Sequence, residues 1–541
     1  MSARPAPLPL GRRAFLGGVG SLVACSSTPA LAPSFPRAPA CDAGCFRADV
    51  HCHVFNGSDL PIEGFLSQIA LVPQQLTHGL TSRLHDAIDR LAPSGSDELA
   101  VIAALERAGS RVQAPSDPSL PAEVAPLREE LSLALKAALP GVDVEALLAR
   151  VARVLGTAVR PRHLVAAELV GRFESVDLFV PLLVDYDYWT QGFPETHLAE
   201  QLRVHSRISA LSLRGLLVRE RARLHPFAPF NPLREVREVL EPLGPGVEYR
   251  PFGPDIVPGK PYDCALPLPA LDPDGALPHG KGALVLLRQA IERLGFAGVK
   301  VYPPVGFLPL DNAGRGAALH GASGSGLGAS LDLCLRAFYS YCEAQQVPVM
   351  THAADSSGYQ PGYGQLAEPS GWEAVLREFP RLRLCLGHFG HMDGLGDDDT
   401  LAACSAWMRR CGVLMQRYPN VYADMSSSPL PYRAGFRDRY MALLGETFAR
   451  FPRTRLRLAY GSDFWLSKLQ PNSEFAVDAF HDSLSGAFEP ALVSDLMGAN
   501  ALRYLGILGD DGAPDVEHRN RRRLLAFYAA EGVAPPEWMR A

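Results

Sequence analysis

The sequence predicts a parallel α/β barrel, the TIM (β/α)8 fold, with a helical insertion after the first strand. Three observations predict it. A chain of 541 residues is long enough for one large barrel with insertions. Short apolar runs, most of them followed by a helical pattern, recur eight times along the chain. Histidine and aspartate side chains stand at the carboxyl ends of four of these runs, the side on which a barrel builds its active site.

The predicted elements follow one another in a regular order. The first strand spans Phe46 to Phe55, and residues 58–170, rich in Leu, Ala, Arg and Glu at helical spacing, form the insertion. Residues 46–57 and 171–508 then form the barrel, with later strands at 176–184, 224–230, 298–302, 347–353, 382–388, 421–425 and 455–461. Helices are predicted near 283–294, 330–345, 372–379, 400–418, 437–451, 475–484 and 490–505. Residues 509–541 form a tail, and its arginines at 519 and 521–523 indicate a solvated helix face.

The first 32 residues are similar to a twin-arginine export signal, in which Arg12 and Arg13 precede an uncharged stretch too short to cross a bilayer. The stretch from Leu22 to Cys25 resembles a lipobox, whereas residues 30–32 resemble an ordinary cleavage site. Lipidation is the favoured alternative, so we expect an exported protein of the periplasm or cell envelope, attached to a membrane through Cys25. The net charge of −6 and the lack of a basic patch exclude an evident nucleic-acid partner, and the oligomeric state is left open.

The histidines carry the strongest functional signal. In the motif DVHCH of the first strand, His51 and His53 are two residues apart and therefore point to one side, where two imidazoles could hold one metal ion. His352 ends the fifth predicted strand, His388 ends the sixth, and Asp463 follows the eighth. Any one of these could be an ordinary core residue. Because the carboxyl ends of barrel strands meet at one face, the set of five predicts a metal-dependent active site.

Five motifs together resemble the amidohydrolase superfamily, most closely the branch that includes aminocarboxymuconate-semialdehyde decarboxylase. They are DVHCH, GVKVYPP, VMTHAA, LGHFG and YGSDFW, and the resemblance extends from Phe46 to about Leu508. It implies one divalent metal ion, expected to be Zn²⁺. The implied metal ligands are His51, His53, His352 and Asp463.

The same resemblance implies catalytic roles. His388 would act as acid or base or stabilise negative charge, and Asp463 would take a proton from water. Lys300 lies on the fourth predicted strand, where two-metal amidohydrolases carry a carbamylated lysine; His352 and His388 would then serve a second metal. Alternatively, Lys300 is a cation at a strand end that orients a carboxylate. Tyr302 shares its face and would contact substrate.

Three functions are compatible with these residues. The favoured one is a metal-dependent hydrolase that cleaves a lactone, ester or amide bond of a small molecule through a metal-activated water. The alternatives are a non-oxidative metal-dependent decarboxylase and a catalytically inactive surface binding lipoprotein. The long insertion departs from the compact pattern of the family and would form a lid or one wall of the pocket. The sequence therefore predicts a reaction class without a substrate.

Overall fold

The computed structural model describes most of the chain. It describes residues 46–64, 78–115, 144–190, 192–243, 282–314, 326–355, 362–390, 398–427, 437–469 and 473–540, together with a few isolated positions between these ranges. The predicted export signal over residues 1–32, with Cys25, lies outside the described residues, so export and lipid anchoring stay predictions. In the described part, no helix combines the length and the apolar composition that crossing a bilayer requires.

Nine short parallel strands form the barrel wall. They are β1 (Ala48–Cys52), β2 (Leu178–Pro181), β3 (Arg223–Leu224), β4 (Phe227–Pro229), β5 (Gly298–Val301), β6 (Val349–His352), β7 (Leu384–Gly387), β8 (Val421–Asp424) and β9 (Leu458–Ala459). The hydrogen-bonded order is β1-β2-β3 in one sheet and β4 through β9, in sequence, in the other. Nearly all residues of these strands are buried, as expected for a parallel sheet that is covered on both faces.

Backbone contacts join the two sheets into a closed ring. Leu182, just after β2, forms a parallel bridge with Phe227 of β4. At the other junction, the Asp463 N–H donates to the carbonyl of His51 (2.7 Å) and the His53 N–H donates to the carbonyl of Phe464 (3.0 Å). These bonds connect β1 with the segment after β9. The predicted TIM barrel is therefore confirmed, and its closure brings the first and last strands side by side.

The third predicted strand, 224–230, was wrong as a single element. It is split into β3 and β4, and the break contains Pro226, which has no N–H to donate to a neighbouring strand. β3 pairs with β2, and β4 pairs with β5. Both nevertheless occupy one position of the barrel. Counted in this way, the nine strands fill eight positions.

Helices follow the strands around the outside. After β2 they are Leu198–Leu213, then Pro232–Glu235 continued by a π turn Val236–Leu240 and by Glu241–Leu243, then Ala283–Arg293, Gly326–Gln345, Trp372–Glu378, Asp398–Arg417, Arg437–Arg450 and Ala476–Ala487. A further helix is formed by Pro490–Ser494, a π turn Asp495–Ala499 and Asn500–Tyr504. The helix bounds in this second half differ from the predicted ones by only a few residues at most ends.

Between β1 and β2 the described residues are mainly helical. The helices are Ile62–Gly64, His78–Leu91, Gly95–Ala108, Val144–Ala158 and Arg162–Arg172. Ser94 begins one of them by accepting the Asp97 N–H, and Gly109, with φ of 60°, ends it in the left-handed conformation that favours glycine. Helix Arg162–Arg172 contacts the segment after β9, where Lys468 forms a buried ion pair with Glu168 (2.8 Å).

The C-terminal segment packs against the barrel and is not a free tail. Helix Arg519–Ala530 buries Leu524, Phe527 and Tyr528 in a cluster that also contains strand residues, and helix Glu537–Arg540 follows it. Arg521 is buried and donates to the carbonyl of Met539 (2.9 Å). The prediction of a solvated arginine face was therefore wrong for Arg521, because the apolar residues of this helix have a partner that the local pattern does not reveal.

Candidate metal centre

Strand register sets which side chains share the barrel mouth. His352, the last residue of β6, pairs with Gly387 of β7, and Asp424, the last residue of β8, pairs with Ala459 of β9. Lys300 on β5 pairs with Met350, two residues before His352, so Lys300 and His352 lie on the same face. All three polar side chains are buried. The strand ends therefore direct a cationic, a neutral and an acidic group to one place.

Two glycines make room for the His51 imidazole. A methyl group added at Gly461 would lie 2.7 Å from His51 Cβ, and one added at Gly387 would lie 3.2 Å from His51 Cε1. These distances are shorter than ordinary van der Waals contact. The glycines of the LGHFG and YGSDFW motifs are thus explained by the ring that lies against them.

Three of the expected ligands converge. The Nε2 atoms of His51 and His53 lie 3.8 Å and 3.2 Å from Asp463 Oδ1, and all three side chains are nearly fully buried. One ligand atom from each lies within 4.8 Å of the other two. This is the separation expected of atoms that share one ion at about 2.0–2.2 Å each.

Hydrogen bonds fix which atoms of this group carry protons. His53 Nδ1 donates to the carbonyl of Leu182 (2.9 Å), and His51 Nδ1 donates to a carboxylate oxygen of Asp424 (3.0 Å). When each ring is neutral, its Nε2 atom is therefore an acceptor. Asp463 Oδ1 faces them and has no hydrogen-bond partner among the described residues. Three buried acceptors that face one another repel unless a cation lies between them, so these residues fit a divalent metal ion.

His352, the fourth expected ligand, contacts a different partner. Its Nδ1 lies 3.0 Å from Nε2 of His388, and its Nε2 is buried without a hydrogen-bond partner in the described part of the chain. The ring of Tyr302 lies against it, with centroids 4.7 Å apart. His388, expected to be catalytic, packs between His51 and His352, with its ring centroid 4.5 Å from that of each. All the residues predicted from the motifs thus reach the same mouth.

Burial sets the charge of the site. It lowers the pKa of His51, His352 and His388 well below the usual range, and the nearby Lys300 ammonium acts in the same direction, so these rings are neutral. Burial also lowers the pKa of Lys300 to about 8. Its Nζ lies 3.4 Å from His51 Nε2, so a cationic side chain borders the candidate ligands. Carbamylation of Lys300 and a second metal stay predictions.

The sequence reasoning missed two residues of this site, Asp424 and Ser426. Asp424 is fully buried and accepts from the backbone N–H groups of His388 (3.1 Å) and Ser426 (3.0 Å) as well as from His51. The Ser426 hydroxyl contacts Asp424 and lies near both His51 Nδ1 (3.0 Å) and His388 Nδ1 (2.9 Å). An aspartate that ends an otherwise apolar run, VYADM, was the available signal.

A second group of potential ligands, formed by His51, His388 and Asp424, is better described as this hydrogen-bond network. The ligand atoms of the group lie within 4.8 Å of one another. However, both oxygens of Asp424 already accept hydrogen bonds, and His51 Nδ1 already donates one. Because each of these atoms has a partner, the group offers no bare lone pairs comparable with those around Asp463.

Backbone strain is concentrated at the same mouth. Of the eight described non-glycine residues with positive φ, six follow the ends of β2, β7, β8 or β9. They include His388 at 66° and Asp463 at 53°. Left-handed conformations of such residues cost about 1–3 kcal/mol each and persist where the surroundings hold them. Asp49 holds the residue before Asp463 in place, because its carboxylate accepts from both the backbone N–H (3.0 Å) and the hydroxyl (2.5 Å) of Ser462.

Comparisons with known proteins find a family match in the second half of the chain. An amidohydrolase family model matches residues 273–507, a range that contains Lys300, His352, His388 and Asp463. His51 and His53 lie outside that range. No curated protein matches the chain.

Three solved structures are among those to which the chain shows a distant similarity. An amidohydrolase from Burkholderia multivorans is 12% identical over 65% of this chain and 91% of its own, with a TM-score of 0.35. A uronate isomerase from Bacillus halodurans is 13% identical over 92% and 97%, with a TM-score of 0.37. A 5-carboxyvanillate decarboxylase from Novosphingobium aromaticivorans is 13% identical over 76% and 94%, with a TM-score of 0.33. Similarities this distant assign no reaction; the chain is similar to amidohydrolases, and its barrel carries a candidate metal centre.

Proposed function

We propose that this protein is a metal-dependent hydrolase that cleaves an ester, lactone or amide bond in an uncharged small molecule. One observation carries the proposal: the three buried side chains of His51, His53 and Asp463 each offer one ligand atom, and these atoms lie within 4.8 Å of one another. When bound there, a divalent ion would supply a Lewis acid that polarises a carbonyl group and acidifies water.

The chain's own groups suit the attack of water on a carbonyl. Asp463 Oδ1, which lacks a hydrogen-bond partner among the described residues, would accept a proton from the attacking water. The Lys300 ammonium, buried beside His51, would stabilise the negative charge that develops on the carbonyl oxygen. His388 would supply or take up a proton during departure of the leaving group. Tyr302, against His352, would contact the substrate.

A recess beside His53 supports an uncharged substrate. The polar side chains Asp59 and Gln201 that line it are already engaged, with Arg162 and with the carbonyl of Thr196 (2.8 Å) respectively. Among the described residues that line the recess there is no lysine or arginine. The apolar lining residues include Val54, Phe55, Leu60, Leu182, Leu183, Val184 and Leu466.

Two measurements test the proposal. The purified protein should contain stoichiometric metal. It should also hydrolyse 4-nitrophenyl butyrate at least about tenfold more efficiently than the equally long 4-nitrophenyl hemisuccinate, because no lysine or arginine among the described lining residues would compensate the charge of a buried carboxylate. His53→Ala should lose both metal and turnover. His388→Ala should lose turnover but still take up one ion when the ion is in excess. A metal-free native protein, or turnover unaffected by chelators, would refute the function.

Decarboxylation is the second candidate, and Lys300 is the observation that favours it. A buried ammonium beside the candidate ligands could pair with a substrate carboxylate. The two reactions differ in their products, because decarboxylation releases carbon dioxide whereas hydrolysis releases acid without gas. Lys300→Met provides a further distinction: it should raise KM for a carboxylate substrate, whereas for a neutral ester it should mainly lower kcat.

A further inference from the structure

A continuous chain of hydrogen bonds links Asp424 on β8 to His352 on β6. The Ser426 hydroxyl contacts Asp424 Oδ1, Ser426 Oγ lies 2.9 Å from His388 Nδ1, and His388 Nε2 lies 3.0 Å from His352 Nδ1. All four side chains are buried. The chain ends at His352 Nε2, which has no hydrogen-bond partner among the described residues.

The carboxylate sets the direction of every proton in this chain. Asp424 Oδ1 acts as an acceptor, so the single hydroxyl proton of Ser426 points to it and Ser426 Oγ is left as an acceptor. His388 Nδ1 must then donate to Ser426. In a neutral ring, His388 Nε2 is consequently a lone pair, which accepts from His352 Nδ1. The same rule leaves His352 Nε2 without a proton.

The opposite direction is unfavourable at both ends. It would turn lone pairs of Ser426 Oγ and Asp424 Oδ1 toward each other at close contact. It would also place an N–H on the buried His352 Nε2 with no acceptor, which costs about 1–3 kcal/mol. Neither cost arises when the protons run from His352 toward Asp424.

We propose that Asp424 and Ser426 are positioning residues that fix the tautomers of His388 and His352, so that His352 keeps a bare Nε2 for the ligand role that the sequence motifs imply for it. The proposal rests on the proposed function, because it presumes a metal at this mouth. In this arrangement Ser426 acts on the His352 lone pair through the His388 ring. Removal of such outer partners typically weakens metal binding 10- to 100-fold.

The first test compares two serine-to-alanine variants. Ser340 is the matched control, because it is also a buried serine, lies in helix Gly326–Gln345, and its hydroxyl has no partner in the described chain. Zn²⁺ affinity is measured by competition with a chromophoric chelator, and the Co²⁺-substituted protein is examined by visible absorption. Ser426→Ala should bind Zn²⁺ at least about tenfold more weakly and change the Co²⁺ spectrum, while Ser340→Ala should do neither. Wild-type affinity in Ser426→Ala would overturn the proposal.

A second measurement needs no variant to fold. Long-range ¹H–¹⁵N spectra of the wild-type protein labelled at histidine report which ring nitrogen carries the proton. Both His352 and His388 should be protonated at Nδ1, and a proton on Nε2 of either would overturn the proposal. If the wild-type protein binds no metal, the proposed function fails, whereas these spectra still decide whether Asp424 and Ser426 set the tautomers.

Discussion

The most informative stability test is Arg162→Met, because Arg162 joins two helices of the insertion to the turn at its start, Gly57–Asp59. Its guanidinium is fully buried and donates to Asp59 (2.7 Å), Glu98 (2.6 Å) and the Ser58 hydroxyl (2.9 Å). Asp59 and Ser58 belong to the turn after β1, whereas Glu98 lies on insertion helix Gly95–Ala108. Methionine fills similar volume but leaves two buried carboxyl groups without their cation.

The magnitude follows from that loss. Removing one partner of a buried ion pair costs about 3–5 kcal/mol, and both acids here depend on the same guanidinium. Equilibrium urea unfolding followed by circular dichroism should show this decrease in the free energy of unfolding. Adding Asp59→Asn and Glu98→Gln should recover part of it, because neutral amides tolerate the missing charge better.

Arg336→Met is the matched control. Arg336 pairs with Glu378 at 3.0 Å, but its side chain is 43% exposed. Exposed pairs are worth only about 0–1 kcal/mol because water screens them. A loss below about 1 kcal/mol for Arg162→Met, or equal losses for the two variants, would refute the view that this buried cluster holds the insertion helices to the turn after β1.

Two further predictions use neighbouring features. Burial raises the pKa of Glu98 to about 7, above its unfolded value, so its stabilising contribution is complete below about pH 4.5 and is lost as pH rises through 7. Glu98→Gln removes this dependence. As pH rises from 5 to 8, the difference in the free energy of unfolding between variant and wild type should therefore shift in favour of the variant, by at most about 3 kcal/mol. A difference that does not vary with pH would contradict this. Gly461→Ala would place a methyl 2.7 Å from His51 Cβ and should weaken Zn²⁺ binding at least about tenfold, which equilibrium dialysis would detect.

Much of the site could be predicted from local patterns. The HxH spacing in a strand places His51 and His53 on one side, and an apolar run that ends in histidine or aspartate marks a strand end. Asp424 escaped detection because one acid at the end of such a run has many explanations until its neighbours are known. Ser426 carried no signal at all, since serine is common after strands and its role depends on rings from two other strands.

The sequence alone determined the alternation of strands and helices and the chemical types at the barrel mouth, because periodicity and residue type are local properties. Only the tertiary structure decided which groups share an ion and which share a proton. His51 and Asp463 are brought together by the closure of the ring. The same closure places Asp424 of β8 two strand positions from β1, within hydrogen-bond distance of His51. Closure is a long-range event, so the direction of each hydrogen bond, and with it every free lone pair, is fixed only when distant strands meet.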